Sequence, residues 1–534
     1  MYHLLIGLLS FFVNTSQSDL QDTIVLSDSL TSFNHKQADD KYRRLTSVYD
    51  AVWSDNDQVL YEKGDEFPVN TDTSFDQILP DVATFSDRSF IAIWEDFFGI
   101  SGRIMRSNSS EIISQFTVSL PSSILDYAGS VSSFSNDQFV VCWAAIDGIS
   151  SVVRLQLFYK NATRIGIPID VASYPNGDPI HTAIVTFASG EFAVAWSATG
   201  GSDTNSYGVY TQVFANNGTA LGAILQANNY TTMAQQVPRL TAIPSTRNYV
   251  VTWESEAQDT SGFGTYATVI SLDQQIIVSE FLVATSITDN QVSPNVVAFS
   301  DASFLIGWDS YDTTLGEYLF LGQFFYRNGT KKGLPFTILG TRGKTFHSNF
   351  NPIYAEENPP SIQVLANNQF LVVFHNTTSG NADVYGQIFS SEGNRLGTTF
   401  LINDHLPGDQ AYPFVDASSD NCIIVLWTTD GQDGDGQGIY GKSFSLGTAS
   451  PTISPTDNPT LNPTLGTTSP SLSPTLPSLS PTSNPSTSPS INPTFGPSLS
   501  TTSHPSTSPS INPTFGPSLS PTSHPSASPS INPT

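Results

Sequence analysis

Basic residues are scarce in this chain. Lysine and arginine number 20 against 47 acidic residues, a formal net charge of −27. So acidic a surface repels phosphate backbones and anionic headgroups, which excludes nucleic-acid and anionic-membrane binding by electrostatics. Cysteine is nearly absent. Cys142 and Cys422 are the only two, too few for a disulfide framework, and both fall inside apolar runs where buried free thiols are expected. The histidines His35, His181, His347, His375 and His405 show no metal-ligand spacing such as His-x-x-x-His. Neither a Gly-x-Ser-x-Gly elbow nor a phosphate loop is present. Long apolar runs are missing as well. The longest, Leu4–Val13, is too short to span a bilayer. Followed by small polar residues, it marks residues 1–18 as a secretory signal peptide.

What the chain has instead is repetition. An aromatic residue is followed four positions later by another large ring in Phe90/Trp94, Phe139/Trp143, Phe192/Trp196, Tyr249/Trp253, Phe304/Trp308 and Phe370/Phe374; Ile423/Trp427 continues the series. Copies recur every 49 to 66 residues. A period near fifty implies a unit that must stack on copies of itself to bury its faces. The runs FIAIW, FVVCW, FAVAW, YVVTW, FLIGW, FLVVF and IIVLW are short, rich in β-branched residues and closed by Asp/Gly/Ser clusters, so they read as strands buried on both faces. A shorter run precedes each, often after Pro, as in Pro80–Phe85, Pro238–Ile243, Pro294–Phe299 and Pro360–Leu365. An alternating run follows, as in Gly208–Phe214 and Gly264–Ile270, and turns such as Asn217-Gly218 and Asn328-Gly329 lead into a fourth.

The unit is thus a four-stranded antiparallel meander. Seven of them predict an all-β fold, a seven-bladed β-propeller over residues 19–447. The last repeat lacks its fourth element, and Tyr49–Asn70 reads as elements three and four alone. Phe67–Asn70 is therefore expected to complete the last blade and latch the ring. From Thr448 the composition changes. Residues 448–534 hold 20 of the 35 prolines and one charged residue, Asp457, with a 20-residue repeat from Ser480. This predicts a disordered, extended Pro/Ser/Thr-rich stalk reaching on the order of 250 Å. The last copy is cut at Asn532-Pro533-Thr534, so a continuation, with or without an anchor, is expected.

The seventh repeat, with DGQDGDGQGIYGKSF at Asp430–Phe444, resembles the Trp and Gly-Ile-Tyr repeats of large secreted bacterial proteins that often accompany calcium-binding arrays. The resemblance implies no defined activity. The stalk is similar in composition to those of secreted and wall proteins of unicellular eukaryotes. SNDQFVVCW and SDASFLIGW share part of the Ser-x-Asp-x-Gly-x-x-Trp box of six-bladed sialidases but lack its Gly and its spacing.

Candidate sites follow from the blade register. Sequons occur at Asn108, Asn161, Asn217, Asn229, Asn328 and Asn376, and four of them occupy the turn between strands three and four. Acids crowd the opposite loops: Glu95/Asp96, Asp147, Asp203, Glu254/Glu256, Asp309/Asp312 and Asp430/Asp433/Asp435 after the second strand, and Asp76, Asp126, Asp178, Asp289 and Asp409 before the first. This acidic face is the expected binding face. Asp430, Asp433 and Asp435, interleaved with Gly, are the best candidates for a calcium ion, although the spacing is not that of a known calcium loop and a plain solvated turn is the preferred reading. No catalytic or cofactor-binding residue stands out. The expected function is extracellular recognition or adhesion by a monomeric glycoprotein with a glycan or protein partner. The alternatives are a propeller glycoside hydrolase or lyase using paired acids, and a structural wall or matrix component.

Overall fold

The structure is a computed structural model that describes residues 51–55, 58–119, 125–148, 150–202, 206–340, 359–377 and 380–448. The expected signal peptide, the expected stalk from residue 449 on, Asp203, His35 and His347 lie outside them. Seven antiparallel sheets follow one another along the chain. Blade 1 is Ile78–Thr84, Ser89–Asp96, Gly99–Arg106 and Glu111–Thr117. The innermost strands of blades 2 to 7 are Leu125–Ser133, Pro179–Thr186, Gln235–Ala242, Gln291–Ala298, Ser361–Val364 and Gln410–Ala417. Each inner strand packs beside the next, and Gln410–Ala417 packs beside Ile78–Thr84, so the ring closes. The fold is a seven-bladed β-propeller.

Its core is distributed. Seven apolar clusters lie one at each interface between blades. The second strand feeds two of them at once, because side chains alternate across a strand. Phe90, Ala92 and Trp94 enter the cluster shared with blade 7, while Ile91 and Ile93 enter the one shared with blade 2. Phe-x-x-x-Trp is thus the face that each blade turns to its predecessor. Trp94, Trp143, Trp196, Trp253, Trp308 and Trp427 are among the largest fully buried side chains, as packing residues rather than a sugar platform. Trp143 donates to Asp126 (3.0 Å) and Trp196 to Tyr174 (2.7 Å), but the indole N–H groups of Trp94, Trp253, Trp308 and Trp427 find no acceptor, for which we have no physical account. Cys142 and Cys422 are buried free thiols.

The latch forms as expected, with one correction. Phe67–Pro68 pairs with the third strand of blade 7, Gln437–Thr448, in the place of a fourth strand. Val69 N–H donates to Ile439 O (2.8 Å), and Asn70 Oδ1 accepts from Ile439 N–H (2.8 Å). Upstream, however, Gln58–Glu62 is not a third strand of anything. It pairs with Phe444–Thr448, and Ala51–Asp55 pairs with it in turn, giving blade 7 six strands. The reason is length. The third strand of blade 7 runs twelve residues, and a two-residue latch leaves its far half as an open edge that the hairpin covers.

Candidate functional site: the mouth of the central channel

Six of the seven inner strands carry a β-bulge at one place. Leu79, Ala128, His181, Val237, Ser293 and Tyr412 have φ between 52° and 55°, and the strand register shifts at each. Pro follows four of them: Pro80, Pro238, Pro294 and Pro413. A left-handed L-residue costs about 1–2 kcal/mol, so the conformation must be held from outside. At three of the six the preceding blade does this. Glu95 Oε1 accepts from Ala128 N–H (2.5 Å), Glu254 Oε2 from Ser293 N–H (2.9 Å), and Thr428 Oγ1 from Leu79 N–H (3.3 Å). All three acceptors directly follow the blade Trp.

Two residues beyond each bulge stand Asp81, Ser130, Ala183, Arg239, Asn295 and Phe414, with Ser361 in blade 6. These seven line a central channel of about 460 Å³. Asp81, Ser130, Ala183, Arg239 and Phe414 also bound a second cavity of about 330 Å³ at the mouth, between blades 1 and 3. Its other walls are Leu79, Leu125, Tyr127, Ile146, Ile180 and Tyr207 on the apolar side and Glu95, Asp178 and His181 on the polar side. The mouth opens among the inter-blade loops, on the face expected to be acidic.

Inner strands expose unpaired N–H groups to the channel, and side chains of the preceding blade reach across to them. Asp81 accepts from Val82 N–H (2.7 Å) and Val131 N–H (2.9 Å). Asp416 accepts from the Thr84 N–H (2.7 Å) and hydroxyl (2.8 Å). Ser132 Oγ accepts from Thr186 N–H (3.2 Å), and Ser361 Oγ from Val415 N–H (3.3 Å). Burial pushes the carboxyls of Asp81 and Glu95 up to about 7 and raises that of Asp416. Tyr127 hydroxyl lies 2.8 Å from Pro179 O and 3.0 Å from Asp178 Oδ1. Arg239 Nη1 donates to Pro238 O (3.1 Å), and His181 Nδ1 lies 3.4 Å from Ser197 Oγ.

The acidic face is therefore two populations. Glu95, Asp126, Glu254 and Asp309 are buried. Asp409 accepts from Ala382 N–H (2.9 Å) and Asp76 from Gln437 N–H (3.1 Å). Asp147 shares Arg154 with Asp170. Asp76, Asp147, Asp178 and Asp435 are exposed, and the other described acids of this face are half-buried.

The seventh-blade turn is built differently from a metal loop. Gly431 N–H donates to Gly436 O (2.7 Å), Asn70 Nδ2 donates to Asp433 Oδ2 (3.0 Å), and Gln432 Nε2 donates to Glu66 Oε1 (2.6 Å). The turn thus docks the latch. Among the described residues, no group of three or more His, Cys, Asp or Glu is placed to hold a metal ion, so Asp430, Asp433 and Asp435 do not fit one as arranged. Asn108, Asn161, Asn217, Asn229 and Asn328 are exposed and Asn376 is half-buried. In the four turn sequons the Asn side chain accepts from the N–H two residues on, and the middle residue has φ between 62° and 83°. Turn geometry accounts for this recurrence by itself.

One recurrent feature escaped the sequence reading. Asn70/Gln77, Asn228/Gln235 and Asn403/Gln410 are all seven residues apart in the loops that enter blades 1, 4 and 7. Gln235 Nε2 donates to Thr232 O and Met233 O (both 3.1 Å), and its Oε1 accepts from Asn228 (3.0 Å). Gln77 and Gln410 donate to their own loop carbonyls in the same way. Asn-x6-Gln is visible in sequence, and its copy at Asn70 marks the latch as a fourth strand independently of the Trp series.

No known family profile matches the sequence, and no curated protein matches it. Solved structures overlap it as propellers. An alpha-L-arabinanase from Penicillium chrysogenum is 13% identical over 64% of this chain and 99% of that one, with a TM-score of 0.41. An alpha-L-arabinofuranosidase from Fusarium graminearum is 9% identical over 71% and 98%, with a TM-score of 0.40. The Dos1 propeller is 10% identical over 74% and 94%, also at 0.40. Overlaps this loose carry no argument about activity. Among the described residues no helix is long and apolar enough to cross a membrane.

Proposed function

We propose that this is a secreted or cell-surface glycoprotein that recognises an extracellular glycan, binding it at the channel mouth. The observation that carries the reading is the mouth cavity itself, where Tyr127, Tyr207 and Phe414 face Asp178, His181 and Arg239. Apolar and aromatic walls with a few convergent polar groups suit a sugar, whose ring has an apolar face and a hydroxyl edge. The secretory signal and the sequons support export. A glycan array probed with the full chain tests the reading, and binding to no glycan would remove it.

A second reading, glycoside hydrolysis, is favoured by one observation: Asp81 and Glu95 line the same cavity with carboxyls at about 7, where a general acid works. Against it, the oxygens of Asp81 and Oε1 of Glu95 are already taken by backbone N–H groups. Release of reducing sugar from the array hits, lost in Asp81→Asn and Glu95→Gln, would favour hydrolysis. Calcium at Asp430, Asp433 and Asp435 would require Asp433 to release Asn70. Heat from Ca²⁺ titration that disappears in Asp433→Ala would support the ion, and no difference would remove it.

A further inference from the structure

Three phenylalanines stand together in solvent on blade 1. Phe75, Phe97 and Phe98 are 53%, 70% and 67% exposed. Phe75 stacks on Phe97 with ring centroids 4.8 Å apart, and Phe98 meets the two edge-on at 6.2 and 5.4 Å. None of them lines the mouth cavity.

Each sits where local preference argues against it. Phe97 and Phe98 are the two tip residues of a tight hairpin closed by the Asp96/Gly99 pair, a place that favours Gly, Asn or Asp. The corresponding turn of blade 5, Thr313–Gly316, carries a single exposed apolar residue, Leu315, and that of blade 7 is built of Gly, Gln and Asp. Phe75 lies two residues before the loop glutamine with φ 66°. Its counterparts are Met233, Asp289 and Gly408. A bulky residue at positive φ is strained. Gln77 holds it by donating to Phe75 O (2.9 Å), and Asp96 Oδ1 holds the hairpin tip by accepting from Phe98 N–H (2.8 Å). Two loops from different parts of the blade thus carry apolar rings at a cost and present them fixed and joined.

The rings are flanked by negative charge. Asp76 and Asp96 are their chain neighbours, and the Asp430–Gly436 turn abuts Phe75, since Gly436 lies against Phe75 O and Asp76 Oδ1. Among the described residues no ion pair involves Asp76, Asp96 or Asp435. Aromatic faces beside uncompensated carboxylates attract cations twice over, by ring quadrupole and by charge. A second copy, at −27, would bring acid against acid, and residues 448–534 contain no Lys or Arg to supply the cation.

We propose that Phe75, Phe97 and Phe98, with Asp76 and Asp96, form a docking site for a lysine- or arginine-bearing apolar segment of a partner protein. Binding of a fluorescein-labelled peptide of alternating Lys and Leu to the full chain, followed by anisotropy, tests it. A Glu/Leu peptide and a neutral maltohexaose serve as the competing chemistries. The Lys/Leu peptide is expected to bind, and Phe97→Ser/Phe98→Ser to weaken it about tenfold with the protein charge unchanged. Phe75→Gly, which suits the positive φ and spares the fold, should act in the same direction. Asp76→Asn/Asp96→Asn should weaken binding and flatten its salt dependence. Failure of the Lys/Leu peptide to bind, binding that ignores the Phe changes, or equal binding of the Glu/Leu peptide or maltohexaose would each overturn the proposal.

Discussion

Phe67→Ala opens the ring at one interface. Phe67 is 6% exposed and lies 6.1 Å from Phe90, in the cluster that also holds Val69 from the latch, Ile424, Leu426 and Ile439 from blade 7, and Val82, Trp94 and Met105 from blade 1. Removing a buried phenyl costs about 3–5 kcal/mol. The latch is held besides by buried Val69, by the Asn70–Asp433 and Gln432–Glu66 contacts and by the hairpin upstream of it. Its strand is two residues long, with Val69 N–H on Ile439 O and Lys63 N–H on Ser443 O beside the Asn70 side chain. A loss of that size is comparable to what the latch hydrogen bonds together return, at about 1 kcal/mol each. The latch should then detach locally while other blades stay folded. Hydrogen exchange followed by mass spectrometry reads this directly. Peptides covering 437–446 and 78–84 should exchange faster by more than tenfold, and those of blades 3 to 5 should not change. Phe389→Ala, the same ring loss inside blade 6, should instead speed exchange around Phe370 and Phe389, which stack at 4.9 Å. Equal acceleration in every blade, or none at 437–446, would refute the latch argument.

Further outcomes are expected from the buried polar groups. Burial raises Asp81 from 3.8 and Glu95 from 4.5 to about 7, so the stability they contribute is full below about pH 4 and is lost as pH rises through about 7. Asp81→Asn should therefore be destabilising at pH 5 and less so at pH 8, the two differing by roughly 2–4 kcal/mol in urea unfolding; a pH-independent difference contradicts the raised carboxyl. Gln235→Ala strands Asn228 and two loop carbonyls and should cost about 1–3 kcal/mol in thermal unfolding, while a change within about 0.5 kcal/mol would show the loop does not need it. Intact-glycopeptide mapping should find Asn108, Asn161, Asn217, Asn229 and Asn328 occupied and half-buried Asn376 bare; all six bare would remove the export argument from the sequons.

The strands were legible because their chemistry is repeated. Gly208–Phe214 coincides with its strand to the residue, since an alternating run between Gly and a turn leaves no other choice. The latch was legible because the last repeat lacked a strand that Phe67–Asn70 supplies. The hairpin before it was not, because Gln58–Glu62 is fixed by the excess length of its partner strand. The channel was hidden for a similar reason. A bulge at Ala128 or Ser293 follows from an acceptor one blade away, 33 or 39 residues off in sequence, and the bulge at Leu79 from Thr428, 349 residues off. Glu95 looks like any surface acid until its acceptor role for Ala128 is seen. The Pro that follows four of the bulges was visible, but as the start of a strand rather than as the mark of the ring of residues lining the channel.

The mouth cavity is where the functional account is most exposed. Ile146 lines it without being buried, so Ile146→Trp should fill the mouth and leave the blades intact. Titration calorimetry of the full chain with the best oligosaccharide from the array is the direct measurement. The account predicts binding to the native protein and a loss of at least about tenfold in Ile146→Trp, with melting unchanged. The same affinity in both proteins would contradict it, because the ligand would then be bound elsewhere than the channel mouth.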